Sequence, residues 1–350
     1  MSVKALSVVP GKPETAGVGD HPDPSASEGA LLVQGLLMGV CGTDIEIIQQ
    51  GYGWAPEGAE RLIIGHESLG KVVEAPAGSG FASGDLIAGI VRRPDPVPCV
   101  PCGQGAWDFC RNGKYTERGI KERNGYGASQ WRVEPGFAVK LDPKLGDCGV
   151  LMEPTSVVAK AWEQSEKIAS RSPAPSKVAL ITGAGPIGLL AALIGVQRGY
   201  EVHVFDRVDT GPKPGLVRDI GGTFHAGDVA SIGVRPDVVI ECTGYGPLVF
   251  ELTDVVANDA VICLAGISAS TRETEIGLDQ VNKQMVLENI AIFGSVNAAR
   301  RHYEQAAQTL AKADLGWLTK LVSRKVPLSD YADALQRHDD DVKVAIDLRD

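Results

Sequence analysis

The segment RLIIGHESLG, residues 61–70, ends an apolar run on two adjacent ionisable side chains, His66 and Glu67. A strand entering a core does not stop on His-Glu unless something takes up the charge, because an unpaired buried charge is costly. Two other segments offer partners: GVCGTDIE upstream carries Cys41, and LMEPTSV downstream carries Glu153. Thiolate, imidazole and carboxylate together suit zinc, and a catalytic zinc keeps one position open for water or substrate. Taken singly, each has an ordinary explanation. A lone cysteine is usually a small core residue, and a lone His-Glu pair usually lies at the surface. A second motif gives the combination its weight.

That motif is KVALITGAGPIGLLAALIGVQRGYEVHVFDR, residues 177–207, with Gly183-x-Gly185-x-x-Gly188 between a strand-like and a helix-like run. The first glycine permits a tight turn, the second lets a pyrophosphate approach the backbone, and the third lets helix and strand pack closely. The next strand ends at Asp206, near the spacing at which an acidic residue binds the adenosine ribose. The pattern predicts a dinucleotide site built from Gly183, Gly185, Pro186, Ile187, Gly188, Asp206 and Arg207. The Asp206 carboxylate would bind two ribose hydroxyls and repel a 2′-phosphate, which favours NAD. Arg207 could stack on adenine or reach a phosphate, so NADP stays open.

The chain has seven cysteines, an odd number that does not suit a secreted disulfide framework. In DPVPCVPCGQGAWDFC, the spacing Cys99-x2-Cys102-x7-Cys110 suggests a metal instead.

The elements that must position these groups change in texture along the chain. Before about residue 155, short β-like runs (KALSVV, ALLVQGLLMGV, LGKVVEA, DLIAGIV, SQWRVE, FAVKL) are separated by turn residues, as in a β-barrel-like domain. Beyond it, helical stretches such as TSVVAKAWEQSEKIA alternate with KVALITG, EVHVFD, DVVIECTG, AVICLAG and IAIFGSV, which predicts a parallel sheet wound with helices. After about residue 297 comes the helical ARRHYEQAAQTLAKA, and the chain closes on the strand-like VKVAIDL. At 350 residues, two domains are expected. A net charge of −10 argues against a nucleic-acid or anionic-membrane surface. Arg92-Arg93 and Arg300-Arg301 are only pairs, of a kind usually solvated. The N-terminus lacks a signal-peptide pattern. The uncharged run from Val178 to Gln197 is long enough to span a bilayer, but its Gly-Ala-Gly-Pro break favours strand, turn and buried helix. A cytoplasmic protein is expected.

On GVCGTD, GHESLG, Gly84-Asp85, EPTSV, the nucleotide fingerprint, ECTG at 241–244 and FGSVN at 293–297, the chain resembles the zinc-dependent medium-chain dehydrogenases, in their glucose dehydrogenase branch. The resemblance implies an α/β fold: a GroES-like β-barrel catalytic domain over 1–155, a doubly wound Rossmann domain over 156–297, and a segment, 298–350, that returns to the catalytic domain. It implies a catalytic zinc on Cys41, His66 and Glu153 or Glu67, with Asp44 orienting the His66 ring and Thr43 bonding the reacting hydroxyl. Thr243 of ECTG joins the cofactor site. Relatives carry a fourth cysteine in the lobe, which falls here at Pro96. Asp95 beside it is the expected oxygen ligand of a second, structural zinc with Cys99, Cys102 and Cys110. Glu46, where simpler alcohol dehydrogenases carry histidine, Glu117 in YTERGI and Asn297 imply a sugar as substrate. The implied reaction oxidises the anomeric hydroxyl of an aldose, with D-glucose first, to the lactone, and passes hydride to NAD or NADP. The alternatives are a polyol or secondary-alcohol dehydrogenase, or a zinc-free quinone-reductase-like or nucleotide-binding protein. A homodimer or homotetramer is the implied assembly.

Overall fold

The computed structural model describes residues 2–268, 273 and 275–349. It divides into two compact units, Met1–Ser156 with Asn297–Asp350, and Val157–Val296.

In the first unit the largest sheet runs, in spatial order, through Ala138–Lys140, Leu86–Gly89, Glu67–Glu74, Leu31–Gly39, Lys343–Asp347 and Val322–Pro327, and Gln130–Val133 also pairs with Leu31–Gly39. Each β-like run expected before residue 155 is a strand. Several strands escaped notice, among them Val322–Pro327 and, longest of them, Lys12–Pro22. Lys12–Pro22 pairs antiparallel with Ser2–Val9, but its sequence KPETAGVGDHP is mostly exposed and shows no apolar alternation to reveal it. The core beneath these strands includes Leu6, Val8, Met38, Ile47, Leu62, Ile64 and Ile346, all at most 1% exposed.

Strand pairing sets up the chemistry. Gly39 is paired with Glu67 on one side and with Ala345 on the other. The C-terminal strand is therefore laid beside the Glu67 strand with a single strand between them. Lys343 enters the neighbourhood of Glu67 from the far end of the chain.

The second unit holds a six-stranded sheet, in order Thr223–His225, Glu201–Phe205, Val178–Thr182, Val238–Glu241, Val261–Leu264 and Ala291–Gly294. All five pairings are parallel. The strand order reverses between Val178–Thr182 and Val238–Glu241, the place where doubly wound sheets bind their ligands. All five expected strands are present; the sixth, Thr223–His225, has only three residues and too little pattern to read. Pro186–Gln197, apolar on every side, is a helix buried over most of its length rather than a membrane span. Among the described residues no helix is long and apolar enough to cross a membrane.

Candidate active site

Cys41 caps the helix Gly42–Gln50, which starts directly after the strand Leu31–Gly39. Its backbone N–H donates to Asp44 Oδ2 at 2.9 Å. The other oxygen of that carboxylate, Oδ1, stands 3.5 Å from His66 Nδ1, and both side chains are buried. Asp44 therefore faces one edge of the His66 ring without closing a hydrogen bond to it, and both atoms are buried without a hydrogen-bond partner among the described residues. Cys41, His66 and Glu67 each place a ligand atom within 4.8 Å of the others.

The electrostatics suit a cation. Burial alone would pull the His66 imidazole down, but the Asp44 carboxylate and the Cys41 thiol outweigh it and hold the group well above its ordinary range. Burial raises the Glu153 carboxyl; with His66 opposing and Glu67 adding to the rise, it reaches about 7. Glu153 lies in the first turn of the helix Met152–Ala169 and outside the three-residue group, though near enough to sense it. Glu67 is inside the group but already engaged. Lys343 Nζ donates to both its carboxylate oxygens at 2.7 Å and to Val40 O at 3.1 Å. There is no slack at this point, because a Cβ on Gly39 would come within 2.1 Å of Glu67 Oε2. A soft sulfur, an imidazole and carboxylates together fit zinc. Thr43 is half-buried in the first turn of the Cys41 helix.

Nothing in the sequence singled out Lys343. Its only signal is a lysine inside an apolar strand, VKVAID, where a charge requires a partner.

Glu117 and Asn297 meet: Asn297 Nδ2 donates to Glu117 Oε1 at 2.8 Å. Asn297 has φ 61°, in the left-handed region, and its Oδ1 accepts from the Ala298 N–H at 2.8 Å, which fixes the amide. Glu117 also receives Arg92 Nε at 3.0 Å. The expectation that Arg92-Arg93 is solvated is wrong. Arg92 is 6% and Arg93 4% exposed, because Glu117 and Glu134 sit across from them as partners. Glu46, half-buried on the Cys41 helix, acts with Glu117 on the same neighbour, Tyr52. Burial raises that phenol and the Glu117, Tyr115 and Glu46 charges raise it further.

In the cysteine lobe, Cys99, Cys102 and Cys110 place their sulfurs within 4.8 Å of one another. The Arg111 and Cys102 N–H groups bring the Cys99 thiol down to about 7, and burial pushes Cys102 up to about 11. Asp95 is not in this group, contrary to the sequence reading. Its Oδ1 closes a turn by accepting from Val97 N at 2.8 Å, and its Oδ2 is buried with no hydrogen-bond partner.

In the second unit, Gly183 has φ 87°, and a Cβ on Gly188 would lie 1.7 Å from Gly183 O. A Cβ on Gly185 would meet nothing within 4 Å, so this side of the loop is open to a ligand. Pro186 and Ile187 begin the helix that Gly185 caps. Asp206 is more engaged than expected. Oδ2 accepts from Ala184 N at 2.7 Å and from Lys213 Nζ at 3.2 Å, and Oδ1 from Val208 N at 2.9 Å. Arg207 is exposed, as is Thr243, whose N–H and hydroxyl both donate to Glu241.

Comparison with known proteins bears on all of this. Residues 27–143 match the alcohol dehydrogenase GroES-like domain, and residues 146–348 match the glucose dehydrogenase C-terminus. The glucose 1-dehydrogenase of Methanocella arvoryzae is 35% identical over 99% of each chain. That of Thermoproteus tenax is 36% identical over 99% of this chain and 100% of its own. Among solved structures, Haloferax mediterranei glucose dehydrogenase in complex with NADP, Zn and gluconolactone is 30% identical, with a TM-score of 0.89 over 98% of this chain and 99% of that one. By these matches over nearly its whole length, the chain belongs to the zinc-dependent medium-chain dehydrogenases, in their glucose dehydrogenase branch.

Proposed function

We propose that the protein oxidises the C1 hydroxyl of an aldose, D-glucose first, to the lactone, with NAD or NADP taking the hydride. One observation carries this reading. A Cβ on Gly119 would lie 2.5 Å from Gly65 O, so the backbone that bears Glu117 is pressed against the residue preceding His66. That close approach ties a carboxylate–amide pair suited to sugar hydroxyls to the Cys41–His66 group.

Cys41, His66 and Glu153 or Glu67 would hold zinc, which when bound supplies the Lewis acidity that lowers the pKa of the reacting hydroxyl. Asp44 would orient the His66 ring. Lys343 pins Glu67 in place through both carboxylate oxygens, so Glu153 is the more adjustable carboxylate of the two. Thr43 bonds the reacting hydroxyl and passes its proton outward. Glu117 and Asn297, with Glu46 nearby, orient the ring hydroxyls. The Gly183–Gly188 loop, Thr243 and Asp206 bind the dinucleotide. Lys213 offsets the Asp206 charge, which supports use of both cofactors. Cys99, Cys102 and Cys110 would hold a structural zinc.

The assembly we propose is a homodimer or homotetramer. Ala291–Gly294 ends its sheet, and Val286 and Leu287 nearby in sequence are each 66% exposed. Seven free cysteines support a cytoplasmic enzyme.

The test is a screen of aldoses, linear polyols and simple alcohols with each nicotinamide cofactor, read by absorbance. Aldoses should lead by orders of magnitude in kcat/KM. Preferred turnover of a linear polyol would move the assignment to a polyol dehydrogenase.

A further inference from the structure

Arg92 and Glu117 face each other across an antiparallel strand pair, in direct register. Both are buried, at 6% and 8% exposed. Arg92 Nε and Asn297 Nδ2 converge on the same oxygen, Glu117 Oε1, at 3.0 and 2.8 Å. The Arg92 guanidinium lies 3.7 Å above the Tyr115 ring, and its Nη1 turns toward Asp108 O at 3.5 Å. The fork is therefore fixed in its plane and along one edge. The remaining donor, Nη2, shares the Nε edge by covalent geometry and so points to the Glu117 side. Nη2 and Glu117 Oε2 make no hydrogen bond among the described residues, and neither is sealed from solvent.

This leaves a donor and an acceptor side by side on one rigid pair. The two charges cancel, so the pair favours neither an anion nor a cation. It matches two hydroxyls on adjacent carbons: one donates to the carboxylate oxygen and its neighbour accepts from the guanidinium. We propose that Arg92 is a substrate-binding residue that, with Glu117, clamps a vicinal diol of the sugar and thereby sets which aldoses are accepted. The proposal rests on the aldose reading above. It extends that reading by naming a second donor group and the feature of the substrate that it reads.

The experiment compares the best aldose with its monodeoxy analogues, one for each ring hydroxyl other than the reacting one. In the wild type, two analogues missing hydroxyls on adjacent carbons should lose about tenfold or more in kcat/KM, mainly through KM, because each leaves a buried group unpaired. Arg92→Lys keeps the charge opposite Glu117 but has no second donor on that edge. In this variant the penalty at one of the two positions should shrink to about threefold or less, while the other penalty persists. Glu117→Gln should weaken the other penalty. Arg92→Lys lowering every sugar by one common factor would mark Arg92 as merely structural and overturn the clamp. The wild-type series decides independently of how any variant folds, because a profile with no adjacent pair of sensitive positions also overturns it. A wild type that turns over no aldose overturns the functional reading and the clamp together. Aldose turnover with a flat deoxy profile overturns the clamp alone.

Discussion

Cys41 and Cys99 both occupy the residue before a helix, Gly42–Gln50 in one case and Val100–Gly103 in the other. Around Cys41 the protein gathers buried charged side chains: Asp44, His66, Glu67, Glu153 and Lys343, none more than 9% exposed. Around Cys99 the thiol is met mainly by backbone N–H groups, in a lobe that exposes Val97, Val100 and Phe109 to solvent. Charged side chains can change protonation state and exchange partners during a reaction. Backbone donors cannot. The first arrangement suits a metal whose open position must be tuned, and the second suits one that only holds a loop.

The largest separation between the two clusters should come from removing a ligand at each. Cys41→Ala or His66→Ala should lower kcat/KM by on the order of a thousandfold or more, with NAD affinity by titration nearly unchanged. Full activity in metal-free protein would refute the catalytic assignment. Next in size is the removal of a buried partner beside the first cluster. Lys343→Met leaves Glu67 buried and unpaired, and should cost about 3–5 kcal/mol of stability in a denaturant titration. A change within error would mean that Glu67 finds its compensation elsewhere.

Cys102→Ser should act in the opposite sense to Cys41→Ala, lowering Tm more than it lowers the initial rate. The shift should be about 2–4 °C for each kcal/mol lost. Elemental analysis of the wild type should find about two zincs per chain, and a count near one would leave the lobe metal-free. The smallest effect lies outside both clusters. Asp206→Ser should move cofactor preference toward NADP by only about a few-fold, because Lys213 already offsets the carboxylate. A shift of orders of magnitude would show that Lys213 is displaced when the cofactor binds.

Much of the fold could be read because its strands and helices carry strong periodicity or glycine punctuation: the Gly183–Gly188 loop, the parallel strands after residue 177 and the helix Arg300–Lys312 all declare themselves locally. Lys12–Pro22 could not be read, since an exposed strand has no buried face to impose a pattern. The site divides in the same way. Cys41, His66 and Glu67 stand out by residue type, but Lys343 and Arg92 do not. Their roles come from partners 276 and 25 residues away in the chain, and a lone sequence does not reveal such pairing. Asp95 shows the converse: adjacency to the missing fourth cysteine suggested a ligand, but its carboxylate lies outside the three-sulfur group, with one oxygen closing a local turn on Val97.

The glycine contacts beneath the site bear on how this protein can vary. A Cβ on Gly119 would meet Gly65 O at 2.5 Å, and one on Gly125 would meet Ile64 O at 2.3 Å. Neither residue has a side chain with which to touch substrate or metal. In a saturation library both should nonetheless tolerate as little as Cys41 does, since any methyl there pushes backbone against backbone directly before His66. Selection for activity would then mark positions that do no chemistry as if they did. Lineages exploring new sugars would be expected to vary Arg92 and its neighbours long before they could vary this seam.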